Sequence, residues 1–281
     1  MLSILKLLTV ISILSISVTT NLVAKTVEER IKSFEKRRIT SNPAIKLHSL
    51  KLSFKKELKD GWYGYLFDIS FTAQGKKIEV NDIVFSNGKM ITSELKNLKN
   101  SLSFKKFMYP KLDAKYYKKS HLIAGNINAR HKLVVFSDPL CPNCTSTLPK
   151  LIEDAKRNPK KLALYYVSFP LPMHPTATTL ANAAKIASKN GIKNVYNTLY
   201  TAKFETYFHP YQNKNHQKTL DAFNKVFKTK ITMKQINDSS LNKKAEYDIM
   251  LAKKAFVQGT PTLFTDGEID LTRQTYKKYI K

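Results

Sequence analysis

Two cysteines stand three positions apart in the run Cys141-Pro142-Asn143-Cys144. They follow a compact apolar segment, Lys132–Ser137, that is typical of a buried strand, and they open a predicted helix. Unpaired backbone N–H groups and the helix dipole stabilise a thiolate at a helix N-terminus. Cys141 is therefore a candidate nucleophile for thiol–disulfide exchange, and Cys144, one turn further on, can resolve a mixed disulfide.

Two other uses of the cysteine pair compete with this one. A zinc site needs two more ligands, but there is no second cysteine pair and the six histidines are scattered along the chain. A structural disulfide is poorly served by so short a loop, because its closure removes little unfolded-state entropy. We expect no metal and no cofactor other than the redox-active Cys141–Cys144 pair itself.

Further residues could support this chemistry. Gly259-Thr260-Pro261 precedes a predicted strand, and a proline at such a strand entry is often cis. An ordinary loop proline is the alternative, and the cysteine pair favours the functional interpretation. Asp138 is expected to be a solvated turn residue, and His174-Pro175 is expected to mark the entry of a helix.

The run from Val134 to Cys144, with Gly125-Asn126 before it and Gly259-Thr260-Pro261 after it, resembles the periplasmic Dsb proteins of the thioredoxin fold. It is most similar to DsbG and DsbC. The segment Phe169–Pro175, followed by an Ala-rich helix, is similar to DsbA-type proteins. The resemblance covers about residues 120–281.

The resemblance implies a role for each residue of the motifs. Cys141 would be the nucleophile, Cys144 the resolving thiol and Pro261 the cis proline. Thr260 would offer its backbone to an extended substrate by strand addition. DsbA and thioredoxin carry a buried acid six residues before the nucleophile, where this chain has Val135, and this departure favours the DsbC and DsbG side.

Together with the order of the remaining elements, the resemblance implies an α/β thioredoxin fold with a helical insertion, preceded by a small α+β dimerisation domain and a linker helix. Alternating apolar residues at 44–58 and 62–73 predict strands in the N-terminal unit. Asp113 can cap a helix at Ala114–His121 in the linker, and Thr272–Lys281 is predicted to be a closing helix. The predicted domains are the N-terminal unit at 25–108, the linker helix at 109–124 and the catalytic domain at 125–281, with its insertion at about 172–256.

Residues 1–24 have the order of a secretory signal: a short start with one Lys, an apolar stretch, and a small polar end. Cleavage after Ala24 or after Thr20 fits, and an uncleaved anchor is the alternative. The segment predicts a periplasmic protein. Outside the cytosol, a lone cysteine pair forms either a stable structural bond or a working one.

The net charge of +27 raises the question of nucleic acid, but only six of the 48 basic residues are Arg. Arg is the preferred fork for bases and phosphates, and the Lys residues are spread among apolar ones. A solvated Lys-rich surface is the interpretation we adopt, with attraction to anionic membranes as a lesser alternative. No nucleic-acid partner is expected.

The sequence thus predicts an exported thiol:disulfide oxidoreductase or isomerase. Its expected partners are exported proteins with thiols or disulfides, a membrane redox partner of the DsbD or DsbB kind, and a second copy of the chain in a homodimer. A DsbA-like dithiol oxidase and a non-enzymatic periplasmic chaperone or binding module are the alternatives.

Overall fold

The computed structural model of the protein describes residues 25–73 and 75–281. The predicted export signal, residues 1–24, lies outside this range. Within it, the elements follow the predicted order: a helix and four strands come first, and a strand–helix–strand unit, a run of helices and a hairpin follow.

The N-terminal unit is an antiparallel sheet covered by one helix. Its elements are α1 (Val27–Thr40), β1 (Ile45–Glu57), β2 (Tyr63–Ala73), β3 (Lys76–Ser86) and β4 (Ile91–Thr92), with strand order β1-β2-β3-β4. Thr26 and Glu29 cap α1 by bonding reciprocally to each other's backbone N–H. Because side chains alternate along a strand, Phe67 packs beneath Ile31 of α1, whereas Leu66 faces a second, smaller core.

The C-terminal unit is built on a mixed sheet with strand order β5-β7-β6-β8-β9. Its strands are β5 (Leu122–Gly125), β6 (His131–Ser137), β7 (Leu162–Ser168), β8 (Thr262–Thr265) and β9 (Glu268–Ile269). Its helices are α2 (Pro142–Arg157), α3 (Ala177–Lys189), α4 (Val195–Thr201), α5 (His216–Phe227), α6 (Met233–Ile236) and α7 (Ser239–Lys254). β6 and β7 are parallel neighbours connected by α2, and β8 pairs antiparallel with the other edge of β6. The helices α3 to α7 form the predicted insertion between β7 and β8.

β6 alternates between two cores. Leu133 and Val135 face the core that contains α2 and most of the insertion. Val134 and Phe136 face the other core, which α7 and the linker cover. All four side chains have no exposed surface, so the end of this strand is a rigid base for whatever follows it.

The predicted linker helix is wrong in form. The segment makes two short 3-10 turns, Ala114–Tyr116 and Lys119–His121, and then enters β5. The Tyr116 hydroxyl donates to the Leu251 carbonyl at 3.1 Å, and His121 bonds to Asp248 at 2.9 Å. These tertiary contacts outweigh the weak propensity of an eight-residue helix, although Asp113 does accept from the Lys115 N–H as a cap.

The predicted closing helix is also shorter than expected. A 3-10 turn, Thr275–Tyr279, replaces the helix expected over 272–281. Arg273 has a φ of 57°, a left-handed backbone conformation that an α-helix cannot contain. The Thr272 hydroxyl still accepts a hydrogen bond from the Gln274 N–H at 3.2 Å.

The N-terminal unit contacts the segment that leads to Pro261. Phe256 packs against the second core of the N-terminal sheet. Two residues later, the Gln258 side-chain amide donates to the Asn81 carbonyl of β3 at 2.7 Å. Lys253 of α7 pairs with Glu79 of β3 at 2.7 Å. The β3 edge is therefore partly covered by the C-terminal unit, and β1 is the opposite, outer edge.

Candidate active site

The two cysteines lie at the connection between β6 and α2. A three-residue loop, 138–140, follows the buried end of β6, and Cys141 occupies the N-cap position of α2. Pro142 suits the first helical position because it has no N–H to leave unpaired there. The Cys144 N–H donates to the Cys141 carbonyl at 2.9 Å, so the two cysteines lie at the two ends of the first turn, three positions apart.

The environments of the two thiols differ strongly. Cys141 is 5% exposed and Cys144 is fully buried, and both are free thiols in this structure. The Cys144 thiol donates to the Cys141 sulfur and is the largest cause lowering the pKa of Cys141 to about 5. The Thr260 side chain and the backbone N–H groups of Cys144 and Asn143 lower this pKa further. The helix N-terminus thus contributes, as the sequence argument holds, but less than the neighbouring thiol.

Burial raises the pKa of both thiols, but hydrogen bonds outweigh it at Cys141 and it dominates at Cys144. Removal from water is the main reason that the pKa of Cys144 is raised, and its hydrogen bond to Cys141 adds to the rise. An anion is stabilised on Cys141 and disfavoured on Cys144. This difference can make Cys141 the attacking sulfur and keep Cys144 protonated until a later step.

Thr260 and Pro261 lie beside Cys141, across the sheet from its own loop. β8 begins directly after Pro261, and Thr262 of β8 is paired with Phe136 of β6. This pairing brings the Thr260 carbonyl to 3.4 Å from the Cys141 sulfur, which donates to it. The Thr260–Pro261 peptide bond is cis, as the sequence predicts, and Pro261 is buried.

The expectation for Asp138 as a solvated turn residue is wrong. Asp138 is fully buried, and its carboxylate accepts hydrogen bonds from the Leu140 N–H and the Leu171 N–H, both at 2.7 Å. His174 Nδ1 lies 2.8 Å from the same carboxylate. His174 does precede α3, as predicted, but its buried bond to Asp138 gives it a further role. The pair was not predictable as a contact because 36 positions separate the two residues.

A group of buried hydroxyls lies behind Cys144, and sequence reasoning missed it. The Tyr200 hydroxyl of α4 donates to the Tyr166 hydroxyl of β7 at 3.2 Å. Burial raises the pKa of both tyrosines well above the ordinary value. The Ser137 hydroxyl lowers the pKa of both Cys144 and Tyr200. No sequence motif links these residues, since only the packing of the insertion against β7 assembles them.

No metal site competes for the cysteines within the described residues. Among residues 25–73 and 75–281, no three His, Cys, Asp or Glu side chains are grouped so that they could hold a metal ion. Over the same part of the chain, no helix has the length and apolar character needed to cross a membrane.

Comparison with known proteins identifies the family. A family model described as thioredoxin matches residues 118–281, which is more than half of the chain. The chain belongs to the thioredoxin family. The matched residues of this thioredoxin-family chain include the cysteine pair and the Thr260–Pro261 segment, and they leave the N-terminal unit outside. No curated protein sequence matches the chain.

Several solved structures are similar to the chain at low identity. A thioredoxin-like oxidoreductase from Silicibacter pomeroyi DSS-3 is 16% identical, with a TM-score of 0.48, over 60% of this chain and 96% of that one. A periplasmic thioredoxin-like protein from Salmonella enterica serovar Typhimurium is 18% identical, with a TM-score of 0.46, over 59% and 92% of the two chains. The catalytic domain of Proteus mirabilis ScsC is 20% identical, with a TM-score of 0.43, over 59% and 92%.

Proposed function

We propose that this thioredoxin-family chain is a thiol–disulfide oxidoreductase that reacts through Cys141. The observation that carries the proposal is the difference between the two thiols: the pKa of Cys141 is lowered to about 5, whereas that of the buried Cys144 is raised. The thiolate is the attacking form in disulfide exchange. At neutral pH Cys141 is therefore a thiolate that can attack, and Cys144 is still a protonated thiol.

The reaction then has two steps. The Cys141 thiolate attacks one sulfur of a substrate disulfide, a mixed disulfide forms, and the other substrate sulfur leaves as a thiolate that takes up a proton. Cys144 loses its proton and attacks the Cys141 sulfur. The Cys141–Cys144 disulfide forms, and the first substrate sulfur leaves as a thiol. The substrate gains two electrons and two protons: the protein supplies both electrons and the Cys144 proton, and solvent supplies the second proton. The reverse sequence oxidises a substrate.

Thr260 and Pro261 form the proposed binding edge for the substrate backbone. The 3.4 Å contact between the Thr260 carbonyl and the Cys141 sulfur supports this assignment, because a backbone acceptor stands next to the reacting atom. An extended peptide that hydrogen-bonds to this backbone by strand addition would bring its own cysteine to Cys141.

The direction we favour is disulfide isomerisation or reduction of exported proteins. Val135 supports it, because this fully buried apolar side chain stands where DsbA and thioredoxin carry an acid. The N-terminal unit, which has no thiol of its own, supports it as a dimerisation domain that could hold a client chain. The membrane partner would then be of the DsbD kind.

A DsbA-like oxidase is the second candidate, and one observation favours it. A stabilised Cys141 thiolate stabilises the reduced protein, and this makes the disulfide form a stronger oxidant. Its membrane partner would be of the DsbB kind. Both functions require export to the periplasm, which the predicted signal at residues 1–24 supports, and neither involves nucleic acid.

Trapping by alkylation in the cell distinguishes the two directions. We expect mostly reduced cysteines for an isomerase or reductase and mostly oxidised cysteines for an oxidase. Cys144→Ser is expected to accumulate mixed disulfides with exported proteins, because attack survives and resolution does not. Cys141→Ser is the matched control and should accumulate none. Equal, reductant-insensitive binding of clients by both variants would instead indicate a non-enzymatic chaperone.

A further inference from the structure

The carboxylate of Asp138 joins three segments around the cysteines. One oxygen accepts from the Leu140 N–H at 2.7 Å, within the loop that precedes Cys141. The other accepts from the Leu171 N–H at 2.7 Å and bonds to His174 Nδ1 at 2.8 Å, both from the segment after β7. A carboxylate has about four acceptor sites, so this buried anion is well satisfied where it lies.

The backbone of the same residue contacts both cysteines. The Cys141 N–H donates to the Asp138 carbonyl at 3.2 Å. The Asp138 N–H bonds to the Cys144 sulfur. Because its carboxylate, carbonyl and N–H groups are all engaged, a shift of Asp138 would move both sulfurs relative to the Thr260 carbonyl.

His174 holds the other end of this arrangement. Its side chain is 1% exposed, and the Tyr211 ring lies 4.9 Å from the imidazole. Nδ1 bonds to Asp138, whereas Nε2 is buried without a hydrogen-bond partner. An unpartnered buried nitrogen is costly. An apolar side chain of the same shape would avoid that cost. The bond from Nδ1 to Asp138 is therefore the interaction that offsets the cost of burying the imidazole.

We propose that Asp138 and His174 are positioning residues of the cysteine pair: their hydrogen bond locks the loop before Cys141 against the segment after β7. The pair itself takes no electrons and touches no substrate. It keeps Cys141 within reach of the donors that stabilise its thiolate. This inference rests on the proposed function, since it concerns how the same two cysteines are tuned.

Two substitutions of His174 test the hydrogen bond in the full chain. His174→Phe keeps the ring shape and removes the donor, whereas His174→Asn keeps an amide nitrogen near the position of Nδ1. We expect His174→Phe to raise the pKa of Cys141 by about one unit and to shift the equilibrium with glutathione about tenfold towards the protein disulfide, or ~30 mV. His174→Asn should stay within about twofold of the unmodified protein.

A matched control separates positioning from simple stability. His121 bonds to Asp248 at 2.9 Å with 11% of its side chain exposed, and Asp248 also pairs with Lys185 at 2.7 Å, so this network is separate from the hydrogen bonds of Asp138. His121→Phe should lower the melting temperature and leave both the Cys141 titration and the glutathione equilibrium unchanged. If His174→Phe does not fold, His174→Gln replaces it, because its longer side chain misplaces the donor.

The outcomes decide between the two proposals. A lower melting temperature for His174→Phe, with the titration and equilibrium unmoved, would overturn the positioning role. Equal shifts for the Asn and Phe variants would overturn the hydrogen bond as its cause. Failure of the unmodified protein to exchange with glutathione would refute the proposed function instead, because that measurement does not involve His174.

Discussion

Removal of the Cys144 thiol is the most direct perturbation of the proposed nucleophile. The Cys144 thiol is the largest cause of the lowered pKa of Cys141, which is about 5. A thiol with that pKa is about 99% thiolate at pH 7, whereas a free cysteine of pKa ~8.5 is only about 3% thiolate. The structure therefore assigns Cys141 about a thirtyfold larger thiolate fraction than a free cysteine at neutral pH.

Cys144→Ala removes the donor, and Cys144→Ser replaces it with a hydroxyl that can also donate. We expect the pKa of Cys141 to rise by about two units in the Ala variant, because the backbone N–H groups and Thr260 still lower it. The Ser variant should keep more of the lowering. Cys141 is the remaining cysteine in both variants, so the ultraviolet absorbance of the thiolate against pH reports on it alone.

The alkylation rate at pH 7 gives an independent check, since it follows the thiolate fraction after correction for nucleophilicity. An Ala variant that still titrates at about 5 would refute the reasoning, because the helix N-terminus alone would then suffice. Identical pKa values for the Ala and Ser variants, both raised, would show that the fit of the sulfur matters and not its hydrogen.

The remaining predictions concern pH, proton transfer, backbone geometry and assembly. Because folding lowers the pKa of Cys141 to about 5, the thiolate stabilises the folded protein fully above the pKa of an unfolded cysteine, and this stabilisation is lost as pH falls through about 5. Between pH ~5 and pH ~8.5, urea titrations should show the unfolding free energy of the reduced protein rising by ~1.4 kcal/mol per pH unit relative to that of the oxidised protein. Ser137→Ala should raise the pKa of Cys144 and slow mixed-disulfide resolution by about threefold to tenfold in stopped-flow kinetics, with Cys141 alkylation unchanged; an unchanged resolution rate would contradict it. Gly125→Ala should cost ~3 kcal/mol or more in unfolding free energy, because its φ is +79° and a Cβ would lie 2.0 Å from a carbonyl oxygen, whereas Gly191→Ala, at φ +83° with open space, should cost ~1 kcal/mol; equal losses would refute the steric argument. A homodimer through the β1 edge should strengthen with salt, because lysines of the two copies would meet; light scattering at 0.1 and ~1 M salt tests this, and a monomer at both would remove the dimer.

The sequence specified the strands best where apolar residues alternate or run together. Tyr63 to Phe71 lies in β2, and the compact apolar run before the cysteines is β6. These patterns are local, and burial on one or both faces enforces them. The helix prediction for the linker failed because the conformation of this segment depends on distant residues. Tyr116 bonds to the Leu251 carbonyl at 3.1 Å, a contact that cannot be seen in the linker sequence alone.

The site was predictable to the same extent. Cys141 and Cys144 are close in sequence, so their spacing alone predicts a redox pair. Thr260 and Pro261 form a second motif that can be recognised in the sequence. The polar groups around them are different. Asp138 has the residue type of a turn, and only the approach of His174 from 36 positions away shows that it is buried.

One face of β6 explains why the polar groups behind Cys144 are hydroxyls and not the acid that DsbA and thioredoxin carry. Positions 133, 135 and 137 share the face that meets α2, because side chains alternate along a strand. Val135 makes the middle of this face apolar, and it packs in the same core as Cys144. Ser137, two positions on along the same face, instead carries a buried hydroxyl that lowers the pKa of both Cys144 and Tyr200. A neutral hydroxyl is too weak a base to hold the proton that leaves Cys144, whereas a carboxylate of raised pKa can hold it. In the isomerase direction that we propose, slow departure of the Cys144 proton would prolong the mixed disulfide and keep a client attached while its thiols rearrange.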